Sequence, residues 1–166
     1  MEESFSLFII IIILLIFSAF FSGSETAFFS LSKIQLKKLK KSDTKSSKRI
    51  FRLLRNPKEL LIIILLGNTL VNVIASSIAA LIAINLFPDS AGIPIFVEIV
   101  IMTLLLLVFG EITPKLIAFS SPERFSGFSG LLLETIKYIF YPIIKLLELI
   151  SSVFTIKNPE LSNGNL

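Results

Sequence analysis

The sequence has 166 residues, of which 54% are hydrophobic, and its mean hydropathy is +0.87. Long apolar runs with few charges are typical of helices that cross a bilayer, and they exclude an ordinary water-soluble domain. The chain has no cysteine and no histidine, which excludes disulfides, thiolate sites and imidazole ligands. A bound metal ion would therefore need oxygen ligands, which favour hard cations such as Mg²⁺, Ca²⁺ or Na⁺.

The first apolar run starts at Phe5 and predicts a transmembrane helix over residues 5–31. A cleaved signal peptide is the alternative, but Glu2 and Glu3 are acidic where a signal peptide is basic. The apolar character also resumes after a polar segment at residues 22–25. We therefore expect one long helix that is interrupted by this polar segment.

Positive charge is concentrated in the segment that follows. No lysine or arginine precedes Lys33, and eleven occur between Lys33 and Lys58. A nucleic-acid patch is one interpretation, but a basic segment between two apolar runs is typical of a cytoplasmic loop. We expect no nucleic-acid partner, and contact with anionic lipid headgroups instead. Within the loop, apolar residues recur at the spacing of two amphipathic helices, with a turn at residues 42–47.

Two further spans follow, over residues 60–87 and 94–119, and a short outer turn with Pro88 separates them. Three crossings place the N-terminus outside the plasma membrane and the C-terminus in the cytoplasm. With this topology, all sixteen lysines and arginines lie on the cytoplasmic side or in that leaflet. The predicted fold class is therefore an all-α membrane protein.

The last apolar stretch, residues 125–154, carries polar side chains at three- and four-residue steps. These form a stripe along one face of a helix: Glu134, Lys137, Tyr138, Tyr141, Lys145 and Glu148. Charges facing lipid are costly, so we predict a juxtamembrane helix along the cytoplasmic leaflet, bent at Pro142. A fourth span is the alternative, and it would put the C-terminus outside. The polar residues 157–166 resemble a truncated linker to a soluble part.

Each predicted span contains a polar segment at a similar depth. Ser22 lies about ten residues before Lys33, Asn68 about ten after Lys58, and Glu111 ten to thirteen before the inner end of the third span. Each is thus roughly 15 Å from the inner surface of a hydrocarbon core about 30 Å thick. Three polar segments that converge near the midplane predict a binding site.

The acidic residues of these segments strengthen the prediction. A carboxylate at mid-bilayer costs at least about 2.5 kcal/mol, so Glu25 and Glu111 must be paired, protonated or bound to a cation. Lys115 lies one turn beyond Glu111 and could pair with it on the same helix. Pro114 has no backbone N–H to donate, and this frees a carbonyl one turn earlier, near Gly110, for a cation.

Single residues of the segments have simpler interpretations. Gly67 is equally well explained by close packing of helices, and the amides of Asn68 and Asn72 by hydrogen bonds between helices. Ser22 and Ser24 are weak signals when each is taken alone. The combination of all three segments is what favours a cation site.

The motifs are FFSGSETA at residues 20–27, LGNT at residues 66–69 and FGEITPK at residues 109–115. In combination and order they resemble the membrane domain of the CNNM/CorC (cyclin M-like) magnesium transporters. The resemblance implies a homodimer in the lipid bilayer, with three membrane helices and a belt-like juxtamembrane helix in each subunit. It makes residues 1–156 a transmembrane ion-transport domain and residues 157–166 a linker to cytoplasmic CBS domains that bind ATP.

The resemblance also implies a function, which is Na⁺-coupled export of Mg²⁺ through a site that binds the dehydrated ion in each subunit. The implied ligands of first choice are Ser22, Asn68, Glu111 and a backbone carbonyl near Gly110. Ligands of second choice, for Mg²⁺ or Na⁺, are Ser24, Glu25 and Asn72. Structural or gating roles fall to Gly23, Gly67, Pro114 and Lys115.

Other functions stay open. A regulator that binds Mg²⁺ without transporting it would use the same residues, and sequence does not distinguish binding from translocation. A membrane-active or scaffold protein has only the apolar C-terminal helix in its favour. An enzyme is not expected, because the sequence offers no nucleophile–base pair.

Overall fold

The structure is a computed structural model that describes residues 2–86 and 92–156. The described residues are almost entirely helical and include no strand, which confirms the predicted all-α fold. The helices are α1 (Glu2–Phe29), α2 (Lys33–Ser42), α3 (Lys45–Leu54), α4 (Pro57–Leu86), α5 (Ile93–Leu105), α6 (Thr113–Ser120) and α7 (Pro122–Ile156), with a π-helical segment, Leu106–Ile112, between α5 and α6. The outer turn predicted at Pro88 and the tail from residue 157 lie outside the described residues.

Among the described residues, three helical stretches are long and apolar enough to cross a membrane: Phe5–Phe29, Pro57–Asn85 and Ile95–Ser120. They confirm the predicted number of spans. The expected interruption of the first span is wrong, because α1 continues through residues 22–25, and α4 likewise continues past Asn68. Backbone groups in a bilayer must be satisfied within the helix, and this requirement outweighs the weak helix preference of serine and glycine.

The third span is the irregular one. The backbone N–H of Thr113 donates to the carbonyl of Val108, five residues back, instead of to a carbonyl four residues back. Pro114 has no N–H, so it cannot supply the α-helical bond to the carbonyl of Gly110. These two features place a π-helical segment where the sequence has its third polar motif. Such segments are frequent at functional sites.

Helix α1 is the central element, because it contacts α4, the π segment, α6 and α7. Its most extensive contact is with α4, where the buried ring of Phe21 lies against Gly67. A Cβ atom at residue 67 would be only 2.3 Å from Cζ of that ring. Gly67 therefore has the packing role that the sequence left open.

Local signals fix the two short helices of the basic loop. Ser32 and Gln35 form a capping box at the start of α2, and Asp43 ends this helix with a left-handed backbone, φ 44°. The Thr44 side chain then caps α3. The predicted turn between the two helices is present but shorter than residues 42–47, because only Asp43 and Thr44 lie between α2 and α3.

Helix α7 is tied to the loop and to α4 by ion pairs. Arg49 and Arg52 of α3 both contact Glu134, and Nζ of Lys137 is 2.7 Å from Oε2 of Glu59 at the start of α4. The polar stripe of α7 thus partly faces protein. Exposed apolar residues of α7 lie elsewhere on its surface: Phe128, Leu131, Ile139, Leu146 and Leu149. The helix runs unbroken through Pro142, and its position along the leaflet stays a prediction.

We predict that Gly67→Ala destabilises the protein by about 1–3 kcal/mol, because the added methyl group overpacks the contact with Phe21. Thermal unfolding in detergent micelles measures the effect. Gly130→Ala is the matched control, since its Cβ would meet its nearest neighbour at an ordinary 3.4 Å. Phe21→Leu should relieve the clash in the double variant, and an equal loss of stability in both glycine variants would contradict this packing role.

Candidate cation site within the spans

Two buried hydroxyl groups of α1 join the three polar segments. Ser18 and Ser22, hereafter the serine row, are four residues apart and therefore lie on one face of the helix; their exposures are 0% and 1%. The Ser18 hydroxyl donates to Oδ1 of Asn68 at 3.3 Å. The Ser22 hydroxyl donates to the backbone carbonyl of Glu111 at 3.5 Å. Oxygen atoms from all three spans thus meet along the serine row.

The π segment approaches α1 closely at Gly110. A Cβ atom at this residue would be 2.6 Å from Oγ of Ser18, so only glycine allows the observed contact. The carbonyl of Gly110 lacks its α-helical donor because residue 114 is proline. The residue predicted to supply the backbone ligand therefore lies beside the serine row.

The carboxylate of Glu111 is partly buried and makes no ion pair with any residue in the described ranges. Lys115, the partner that the sequence suggested, instead forms an ion pair with Glu25 of α1, with 3.3 Å between Nζ and Oε2. Glu111 is thus left without an ion-pair partner within the described part of the span. The alternative in which Lys115 neutralises Glu111 is wrong for this structure.

Asn72 contributes a second unsatisfied group. It lies one turn after Asn68 and hence on the same face of α4. Its Oδ1 atom is buried and has no hydrogen-bond partner among the residues that the structure describes. Buried acceptors without a donor are rare in proteins and are often explained by an absent water or ion. Asn72 therefore fits a cation ligand, although no contact joins it to the serine row.

Ser24 and Gly23 do not belong to this cluster. The Ser24 hydroxyl donates to the carbonyl of Phe20 in its own helix at 2.6 Å. Gly23 lies against the ring of Phe125 in α7, where a Cβ atom would come within 2.4 Å of Cζ. Helical geometry places Ser24 on the face of α1 opposite Ser22, so Ser24 points away from the site, and the contact with Phe125 gives Gly23 a packing role.

The Glu25–Lys115 pair lies one turn beyond the contact between Ser22 and Glu111, towards the ends of the spans at Phe29 and Ser120. One helical turn corresponds to about 5.4 Å. An open depression adjoins the pair, lined by Glu25, Thr26, Phe29, Ser30, Leu61 and Lys115. The buried hydroxyl of Ser30 in its wall has no hydrogen-bond partner within residues 2–86 and 92–156. The ion pair therefore separates the serine row from an opening at one end of the bundle.

Ser18 is the site residue that sequence reasoning missed. It lies inside the apolar run IFSAFF, where a single serine is not by itself a signal of a polar site. The available signal was its position four residues before Ser22, which places both hydroxyls on one helical face. In the part of the chain that the structure describes, no three acidic residues lie together. A cation held here would depend mainly on hydroxyl, amide and carbonyl oxygens.

A scan of family models matches residues 9–164 to the cyclin M transmembrane N-terminal domain. The chain belongs to the cyclin M family. Similar proteins are a UPF0053 protein of Haemophilus influenzae, 43% identical over 87% of this chain, and the inner membrane protein YfjD of Escherichia coli, 38% identical over 81%. A metal transporter of Caenorhabditis elegans, cnnm-4, is 35% identical over 80% of the chain.

These relatives are longer than this cyclin M domain. The matched region amounts to 34%, 31% and 30% of their lengths, so the chain spans about a third of each. The name of the E. coli relative agrees with the three apolar spans, and together they support a membrane location. The orientation of the termini stays a prediction.

We predict that Ser18→Ala costs about 1 kcal/mol of stability, because Asn68 loses the donor to its side-chain oxygen. The same substitution should cost close to nothing in an Asn68→Ala background, where the acceptor is already absent. Thermal unfolding of the two single variants and the double variant measures this coupling. Additive losses in the double variant would show that the hydrogen bond contributes nothing to stability.

Lys115→Gln should destabilise the protein by roughly 1–3 kcal/mol, because it leaves the Glu25 carboxylate within the span without a cation. Adding Glu25→Gln should restore most of the loss. Lys48→Gln, which breaks an exposed pair with Asp43, is the control and should change stability by less than about 1 kcal/mol. If the two lysine variants unfold at the same temperature, the pair within the span has no special role.

Proposed function

We propose that this cyclin M domain transports Mg²⁺ across the membrane, with Na⁺ as the coupled ion, through a cation site at the serine row. The observation that carries the proposal is that Ser18 and Ser22 contact both Asn68 and the backbone of Glu111. Three spans therefore supply oxygen atoms to one buried place. The name of the cnnm-4 relative, a metal transporter, adds independent support.

The donor set suits a hard divalent cation. Mg²⁺ requires six oxygen ligands at about 2.0–2.1 Å and gives up its water reluctantly. In the proposed site Ser22 and Asn68 provide neutral oxygens, Glu111 provides charge, and the carbonyl of Gly110 faces no α-helical donor. With one carboxylate among neutral ligands, binding stays weak enough for the ion to leave, as transport requires.

Glu111 provides the electrostatic reason for a cation to enter. An unpaired carboxylate within the hydrocarbon region is costly, and a bound cation removes that cost. Lys115 does not compete at Glu111 because it is committed to Glu25. Glu25 and Asn72 are then the candidates for the coupled Na⁺, since the first carries charge near the opening and the second has an unsatisfied oxygen.

Rearrangement of the Glu25–Lys115 pair is the access step in this proposal. The pair lies between the serine row and the depression at the end of the bundle that we assign to the cytoplasm. Its opening would admit Mg²⁺ from that side, and its closure would precede release on the other side. A homodimer, with regulation by CBS domains in a longer protein, completes the proposal and follows from the family alone.

Isothermal titration of Mg²⁺ into the purified protein tests the site. We expect Asn68→Ala and Glu111→Gln each to weaken binding at least tenfold, about 1.4 kcal/mol, because each loses one of few ligands. Asn85→Ala, at the far end of the same helix α4, is the matched control and should bind like the wild type. Wild-type affinity in the Asn68 and Glu111 variants would remove the proposed site.

Flux measurements separate transport from regulation. Proteoliposomes loaded with a Mg²⁺ dye should show Mg²⁺ movement when a Na⁺ gradient is imposed, and Glu111→Gln should abolish it. Binding without flux in the wild type would favour a Mg²⁺-binding regulator that does not itself transport. Flux that is independent of Na⁺ would keep the transporter but reject the coupling.

A further inference from the structure

Helix α2 is only loosely held by the core, because among its residues Leu39 packs, partly buried, against the buried apolar cluster. It has ten residues, none of them buried, and an isolated helix of this length is marginal in water. Ile34 is 80% exposed, although an isoleucine gains stability mainly by leaving water. The exposed apolar and basic surface of α2 is therefore available for contact with a partner.

Two contacts fix the level of α2 relative to the membrane. Lys33, its first residue, follows the end of the first span at Phe29 by four residues. Lys38, in its middle, has its Nζ 3.2 Å from Oε2 of Glu123, and Glu123 follows the end of the third span at Ser120 by three residues. Since two spans end beside it, α2 lies along the membrane face and does not project away from it.

The charge of α2 is of one sign. Its sequence KIQLKKLKKS contains five lysines and no acidic residue. Within the described ranges, only Lys38 of these five forms an ion pair. Four residues at positions i, i+3, i+4 and i+7 share one face: Ile34, Lys37, Lys38 and Lys41. With Lys40 they line an open depression of about 660 Å³, within the size range of sites for small organic ligands.

We propose that the five residues that line this depression, hereafter the lysine face (Ile34, Lys37, Lys38, Lys40 and Lys41), bind the phosphate headgroups of anionic phospholipids in the adjacent leaflet. Lysine stems cover apolar surface while their ammonium groups reach polar atoms, so one face can contact both acyl chains and phosphates. Ile34 supplies the apolar contact at the centre of the basic cluster. A free phosphate or a nucleic acid would satisfy the lysines but would leave Ile34 in water.

The first experiment measures the melting temperature in a neutral detergent with added phosphatidylglycerol, phosphatidylcholine or inorganic phosphate. Phosphatidylglycerol should raise the melting temperature of the wild type by about 3 °C or more, and the other two additives should not. The variant Lys33→Gln/Lys37→Gln/Lys40→Gln/Lys41→Gln removes the other lysines of α2 and keeps Lys38, the partner of Glu123. It should lose this shift. An equal shift with inorganic phosphate would overturn the proposal in favour of a small-anion site.

A charge-matched control distinguishes the lysine face from general attraction to positive charge. The variant Lys45→Gln/Arg55→Gln/Lys58→Gln/Arg124→Gln removes the same number of charges from exposed positions elsewhere. It should keep the shift that phosphatidylglycerol produces. If both fourfold variants lose the shift to the same extent, the effect comes from net charge, and the proposal fails.

Depth measurements test the apolar half of the proposal. Because the chain has no cysteine, Ile34→Cys and Lys45→Cys each give a single site for a nitroxide label. In nanodiscs that contain phosphatidylglycerol, a label at residue 34 should collide mainly with oxygen, which concentrates in lipid. A label at residue 45 should collide mainly with a water-soluble nickel complex, and similar behaviour at residue 34 would place α2 in water and overturn the proposal.

Discussion

The structure depends on one constraint, which is that polar groups inside a bilayer need partners from within the protein. The serine row meets this constraint twice, because Ser18 and Ser22 donate to oxygens of two other spans. Lys115 and Glu25 meet it with an ion pair. Among the described groups left without a partner, the carboxylate of Glu111 and Oδ1 of Asn72 are acceptors, and the hydroxyl of Ser30 is the third. An excess of unpaired acceptors is what a captured cation would satisfy.

The sequence was sufficient for the architecture because the signals involved are local. Runs of apolar residues define the three spans, and turn and capping residues such as Ser32, Asp43 and Thr44 define the short helices. Counting residues from the charged ends also placed Ser22, Asn68 and Glu111 at one depth, and the structure brings their segments together. Depth alone, however, does not determine which face of a helix a residue occupies, and Ser24 accordingly points away from the site.

The features that sequence reasoning did not find depend on distant partners. Glu25 and Lys115 are ninety positions apart, and Glu59 and Lys137 are seventy-eight apart, so no local pattern links either pair. Polar segments suggested broken helices, but the cost of free backbone groups in lipid keeps α1 and α4 continuous. Among the described spans, only the third departs from α-helical geometry, where Pro114 has no N–H to donate to the carbonyl four residues back.

The pair between Glu59 and Lys137 has a mechanical consequence. Glu59 lies nine residues before Asn68 on the continuous helix α4, a distance of about 13.5 Å along its axis. A displacement of α7 is therefore transmitted to the continuous helix that carries the Asn68 amide. A displacement of the C-terminal helix at Lys137 would then be coupled to the affinity with which Asn68 holds an ion.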